Sequence, residues 1–259
     1  MKNAMLFLFA IAMAWLTTGH QSPALAQENQ PSAGQTLVRD FDRDVAAMRR
    51  EMKQFCAYAQ QLAAPGANDE TKRQAASKHL GDALDRWNSV VETYRNNPPA
   101  EYATDGQFKQ RLEDVKVFLQ DMNRHFAAGD MRHSFMTCGY ICGLFVAMHE
   151  ENGLNYALDR LFHLRKSVKT IMAVEKKIGA TATVQQFGAD LTRQQSMVVQ
   201  APNPFPSDDP RREKFQTSVQ SISAILARMT TQSGSQESPS ITADLMKAIN
   251  TSYDMALEI

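Results

Sequence analysis

Cysteine is scarce in this 259-residue chain, and its distribution is uneven. There are three: Cys56, Cys138 and Cys142. None lies in the C-terminal part of the chain. Three are too few for a disulfide scaffold, and an odd number leaves at least one thiol without an intramolecular disulfide partner. An excess of charge of either sign is also missing. The 28 basic and 28 acidic residues cancel, and no basic run or basic helical face stands out. This excludes nucleic acid as the main partner, because phosphate neutralisation needs clustered Lys and Arg. It also removes any reason to expect a membrane-surface helix. Catalytic signatures are absent: there is no Gly-x-Ser-x-Gly, no His-Glu-x-x-His and no glycine-rich phosphate loop. A Cys56 or Cys138 nucleophile has no evident neighbouring base. The chain is therefore expected not to be an enzyme.

Long apolar runs are confined to the N-terminus. Lys2 precedes an apolar run from Met5 to Leu16, and Ala24-Leu25-Ala26 comes next with the small-x-small pattern of signal peptidase sites. This predicts a bacterial secretory signal peptide over residues 1–26 and a mature chain from about Gln27. The expected location is periplasmic or secreted, with no membrane span in the mature chain. Polar residues 27–36 read as a disordered lead-in.

Strand patterns are missing, and helical ones fill the rest. Val38, Phe41, Val45, Met48, Met52, Phe55, Ala59 and Leu62 alternate spacings of three and four, the stripe of a bundle helix. Pro65-Gly66 stops it. A second helix is predicted from about Glu70 to Arg95, with Leu80, Leu84, Trp87, Val91 and Tyr94 on one face. A third spans about Asp105 to Ala127, with Phe108, Leu112, Val115, Leu119, Met122 and Phe126 inward. A fourth covers about Met131 to Glu151 and closes at Asn152-Gly153. Short loops between amphipathic helices predict an up-down-up-down bundle over residues 37–153.

Residues 154–259 read as a second such bundle, so the expected fold is all-α, with two tandem four-helix bundles produced by internal duplication. Phe41-Asp42-Arg43 corresponds to Leu158-Asp159-Arg160. Asn97-Pro98 corresponds to Asn203-Pro204, and Phe135-Met136 to Leu245-Met246. The paired Asp-Arg dipeptides read as structural charges at the start of each bundle.

The repeat places the cysteines. Cys56 lies near the end of the first helix and Cys138 near the start of the fourth, at the same end of the bundle. Cys142 sits one turn below Cys138 on the same face. Phe135, Cys138, Cys142, Phe145 and His149 form an inward stripe. The repeat equivalents of the cysteines are Ala173, Ala248 and Ser252, so the second bundle packs without thiols. Three readings compete. The cysteines are small buried hydrophobes, or Cys56 forms a disulfide with Cys138 or Cys142, or all three bind a soft metal. A Cys138–Cys142 disulfide is disfavoured by helix geometry. Three sulfur ligands suit Cu(I) first and Zn(II) next. Met48, Met52, Met136 and Met148 share the two helices, so Met52, Met136 and His149 are additional candidate ligands. His125 and His133 flank the Gly129-Asp130 turn at the same end.

The architecture resembles two groups of bacterial bundle proteins. It looks like the cytochrome c-prime class, whose members attach haem through Cys-x-x-Cys-His near the end of the last helix. This chain has Cys138-Gly139-Tyr140-Ile141-Cys142-Gly143, one residue longer and without the histidine. That departs from covalent attachment, and the resemblance then implies at most a non-covalent haem held by His149 and Met48. The chain is also similar to bacterial copper storage proteins, bundles whose inward Cys-x-x-x-Cys pairs bind Cu(I). Cys138 and Cys142 match that motif, with Cys56 facing them. Those proteins carry many such pairs and this chain carries one, so the resemblance implies a single copper site. The expected function is soft-metal binding at Cys56, Cys138 and Cys142. The alternative is a structural, interaction or sensor module with a helix–helix disulfide and a periplasmic protein partner.

Overall fold

The structure, a computed structural model, describes residues 40–231 and 239–259. The predicted leader, the lead-in and Val38 lie outside the described residues. Among the described residues, eight α-helices carry the fold: α1 Asp40–Leu62, α2 Glu70–Tyr94, α3 Phe108–Ala127, α4 Met131–Glu151, α5 Ala157–Ile178, α6 Ala180–Gln200, α7 Arg211–Thr231 and α8 Pro239–Ala256. A 3-10 turn, Ala100–Tyr102, precedes α3, and no strand occurs among the described residues. The chain is all-α.

Helices α1 to α4 close a ring in which α1 packs on α2 and α4, and α3 packs on the same two. Helices α5 to α8 close a second ring in the same order. Each ring encloses its own apolar cluster, with Met48, Phe55, Trp87 and Leu119 in the first and Leu161, Leu191, Ile222 and Leu245 in the second. Burying one large apolar side chain contributes roughly 1.5–3 kcal/mol, so these stripes hold each ring together. Trp87 also donates its indole N–H to the Leu112 carbonyl at 3.1 Å, tying α2 to α3.

Two details differ from the sequence pattern. Helix α3 starts at Phe108 rather than near Asp105, because the Asp105 carboxylate accepts the Gln107 backbone N–H at 2.8 Å and holds a turn there. On α2 the inward face is Ala76, Leu80, Ala83, Trp87, Val90 and Val91, while Leu84 and Tyr94 are only half-buried. Small alanines let α2 approach α1 closely, which rotates the packed face.

Two helix ends set the direction of the next helix. At the end of α4 the Leu154 N–H bonds to the His149 carbonyl at 2.8 Å and the Gly153 N–H to Glu150 at 3.1 Å. At the end of α3 the Asp130 N–H bonds to the His125 carbonyl at 2.9 Å and the Gly129 N–H to Phe126 at 3.0 Å. Both are Schellman turns, which require a left-handed residue after the helix. Gly153 and Gly129 supply it, with φ of 69° and 79°. The first turn redirects the chain from α4 into α5. That brings the first turn of α5 beside His149.

Candidate functional site

The two bundles meet across α1 and α4 on one side and α5 and α8 on the other, and this seam is charged. Asp42, Arg49, His149 and Asp159 are each at most 5% exposed. Burying four ionisable groups costs several kcal/mol per ion unless they are paired. They are paired with one another. Asp159 Oδ2 lies 2.5 Å from His149 Nδ1, and Asp42 Oδ1 lies 3.6 Å from His149 Nε2. Arg49 lies 3.9 Å from Asp159 and donates to the Tyr253 hydroxyl at 2.9 Å. Tyr156 donates to the second Asp42 oxygen and sets its ring 4.5 Å from that of His149, tilted by 44°. Burial alone lowers the His149 pKa, but Asp159 and then Asp42 more than offset this and raise it to about 9. His149 is therefore an imidazolium at neutral pH. Two cations then balance two carboxylates.

A small cavity of about 190 Å³ lies on the Asp42–His149 side of Arg49. A groove of about 680 Å³ opens on the other side. The groove contains every cysteine. Cys56 and Cys138 are joined by a disulfide, with Cα atoms 6.4 Å apart, inside the normal range for such bonds. Cys142 is a free, half-buried thiol whose Sγ lies 4.0 Å from the Tyr253 hydroxyl. Met52 and Met136 also line the groove, Met52 buried and Met136 48% exposed. His149 lies outside it. Both imidazole nitrogens of His149 face carboxylates, so neither is free for a metal or a haem iron without breaking those contacts. The structure brings together the three cysteines, Met52 and Met136, and places His149 in the separate charged seam. Two of the three sulfurs are spent in the disulfide, so only Cys142 offers a free sulfur in this oxidised form.

Charge dominates the rest of the groove. Arg49, Lys53, Arg165, Lys166 and Lys169 line it, and no Asp or Glu does among the described residues. Lys53 pairs with Asp254, and Arg165 donates to the Asn250 side chain at 2.7 Å and lies over the Tyr253 ring. No carboxylate partner occurs for Lys166 or Lys169 among the described residues. The Lys169 pKa is lowered, first by burial and then by the neighbouring Arg165. The buried Arg49 Nε, at the base of the groove, has no hydrogen-bond partner. Aromatic rings form the remaining walls: Phe118, Phe135, Tyr140, Phe162 and Tyr253. Phe118 and Tyr140 stack at 6.1 Å, and Tyr140 is 60% exposed at the rim.

Asp42, Arg49 and Asp159 are not among the site residues expected from the sequence. One signal of them is present there. Arg49 falls four residues after Val45 and three before Met52, inside the apolar stripe, where an unpaired charge is not tolerated. The repeated Asp42 and Asp159 are visible as a pattern, but their meeting on one imidazole is not. No family model, no curated protein and no solved structure matches this chain.

Proposed function

We propose that this chain is an exported, non-enzymatic binding module, and that its groove takes an organic anion with an aromatic or aliphatic body. One observation carries the reading: a chain of zero net charge lines this groove with five cations and, among the described residues, no carboxylate, beside five aromatic rings. Lys166 and Lys169, which have no carboxylate partner among the described residues, are placed to make charge-assisted hydrogen bonds to a bound anion. The rings offer the apolar surface that ligand pockets use for affinity. The disulfide bridges α1 and α4, two walls of this groove, and acts as a fixed staple. The two rings of helices, with their repeated landmarks, are read as an internal duplication in which only the first bundle acquired thiols.

The test uses anilinonaphthalene sulfonate, an apolar aromatic anion that fluoresces on binding. Saturable binding near one equivalent is expected. Lys169→Glu and Arg165→Glu each weaken it by about tenfold, the effect of roughly 1.4 kcal/mol. Arg193→Glu, far from the groove, leaves it unchanged. Absence of saturable binding, or equal binding by all variants, overturns the reading.

A second reading rests on the convergence of the three sulfurs. On reduction, Cys56, Cys138 and Cys142 would present thiolates in one groove beside Met52 and Met136, a donor set that suits Cu(I) ahead of Zn(II). The surrounding cations would offset the negative charge of such a complex. Three reactive thiols on reduced, anaerobic protein that disappear with one equivalent of Cu(I) support this site. One thiol with a persistent Cys56–Cys138 disulfide argues against it. The haem reading has no such support, because His149 is held by two carboxylates and Met48 is sealed in the first core.

A further inference from the structure

The turn between α3 and α4 gathers three metal-ligating side chains that the groove does not use. The Schellman turn brings the Asp130 N–H onto the His125 carbonyl at 2.9 Å. Asp130 then caps α4, its Oδ1 accepting the His133 backbone N–H at 3.1 Å. Backbone contacts therefore fix the spacing of all three residues. Their side chains converge. Nδ1 of His133 lies 2.6 Å, and Nδ1 of His125 3.5 Å, from the same Oδ2 of Asp130. The two rings are nearly parallel, at 28°, with centroids 5.3 Å apart. One ligand atom from each residue lies within 4.8 Å of the other two.

We infer that His125 Nδ1, His133 Nδ1 and Asp130 Oδ2 form a binding site for a divalent cation of the zinc–copper type, Zn(II) first, with its fourth position open to solvent. Tetrahedral zinc at ordinary bond lengths places its ligand atoms roughly 3.3 Å apart. The two histidine–carboxylate separations of 2.6 and 3.5 Å straddle that figure, and the ligand atoms of the set lie within 4.8 Å of one another. Two imidazoles and one carboxylate suit Zn(II) and Cu(II), whereas Ca(II) and Mg(II) take oxygen ligands. A supporting carboxylate is in place: Asp121 Oδ2 lies 3.6 Å from His125 Nε2, the nitrogen turned away from the site. Such a partner fixes the ring and strengthens the ligand. Arg124 holds the other Asp121 oxygen. A comparable cluster, Glu51, His79 and Asp82, has one imidazole only, and Lys78 holds Asp82 at 2.5 Å.

Metal here ties the last turn of α3 to the first turn of α4. Phe135 and Met136, which line the groove, lie two and three residues beyond His133. The site is separate from the thiols, and the test removes them. Protein with Cys142 alkylated and the disulfide intact is titrated with Zn(II) by calorimetry at neutral pH. One equivalent is expected to bind and to raise the thermal midpoint. His125→Ala and His133→Ala each weaken binding at least about tenfold, as does Asp130→Asn, in which the new side chain still caps the helix. His79→Ala changes nothing. Circular dichroism checks that the variants fold. The inference fails if no stoichiometric binding is seen, or if His125→Ala and His133→Ala bind as the parent does.

Discussion

His149 near the end of α4 and Asp159 in the first turn of α5 are joined at 2.5 Å, ten residues apart in the chain and both almost fully buried. One lies in the first bundle and one in the second, so the contact is a charged joint between them. Asp42 faces the other nitrogen of the same ring, and Arg49 stands behind Asp159.

Stability should track the protonation of this joint. The His149 pKa is raised from 6.5 to about 9 by the two carboxylates, against the effect of burial. A raised pKa contributes stability that is fully present below about pH 6.5 and is lost as pH rises through about 9. One pKa unit is about 1.4 kcal/mol, so the contribution is at most about 3 kcal/mol. Urea unfolding between pH 6 and 10 checks this. The parent should lose stability over that window, and His149→Gln should be less stable at neutral pH with a flatter profile. A parent profile as flat as that of the variant would show that the imidazolium contributes nothing.

Arg49 carries a second prediction. Its guanidinium serves Asp159 and Tyr253 at once, from α1 to α5 and α8. Arg49→Met keeps much of the volume but leaves Asp159 with one cation fewer. Removing one partner of a buried pair costs on the order of 3–5 kcal/mol. The double variant Arg49→Met/Asp159→Asn should be less damaged than the sum of the two single changes, because it leaves no uncompensated charge. A double-mutant cycle on unfolding free energies measures this coupling. Additive losses would mean that the two residues do not interact.

The helices were legible in the sequence because amphipathic spacing reports burial directly. Phe41, Val45, Met48, Met52 and Phe55 are all buried where the stripe places them. The level of Cys56 against Cys138 was legible too, since counting turns from two short loops fixes depth. The charged seam was not. Asp42 and Asp159 look alike as the second member of two repeated tripeptides, and nothing local says that they share one partner. That depends on the Gly153 turn, which redirects the chain from α4 into α5, and on how one bundle sits against the other. Periodicity assigns a face within a bundle but not which bundle faces which. The cations of α5, Arg165, Lys166 and Lys169, are not singled out by the sequence either, because only the placement of α5 opposite α1 and α4 gathers them along one groove.

The disulfide gives a third prediction. It closes a loop between residues 82 apart, α1 to α4, around the whole first bundle. Restricting so long a loop in the unfolded chain is typically worth about 2–4 kcal/mol. Reduction, or the Cys56→Ala/Cys138→Ala pair, should lower stability by that order. Thiol titration of unreduced, denatured protein should find one reactive group, Cys142. Three groups in that assay would place the protein in its reduced form.

Cys142 also reports on the groove around it. A thiol among Arg49, Arg165 and Lys169 attracts anionic reagents and repels cationic ones, because a lined cleft concentrates ions of opposite charge. Dithiobis-nitrobenzoate, a dianion, should modify Cys142 faster than a free thiol in solution after allowance for burial. A cationic methanethiosulfonate should be slower by about tenfold or more, for an energy difference of roughly 1.4 kcal/mol or more. Raising salt should shrink the difference, since the Debye length falls from about 10 Å at 0.1 M to about 3 Å at 1 M. Lys169→Glu should narrow it at low salt as well. Stopped-flow rates for both reagents, at two ionic strengths, measure the field directly. Equal selectivity in the parent and in Lys169→Glu would mean that this lysine does not shape the groove, and the anion-binding proposal would lose its main physical support.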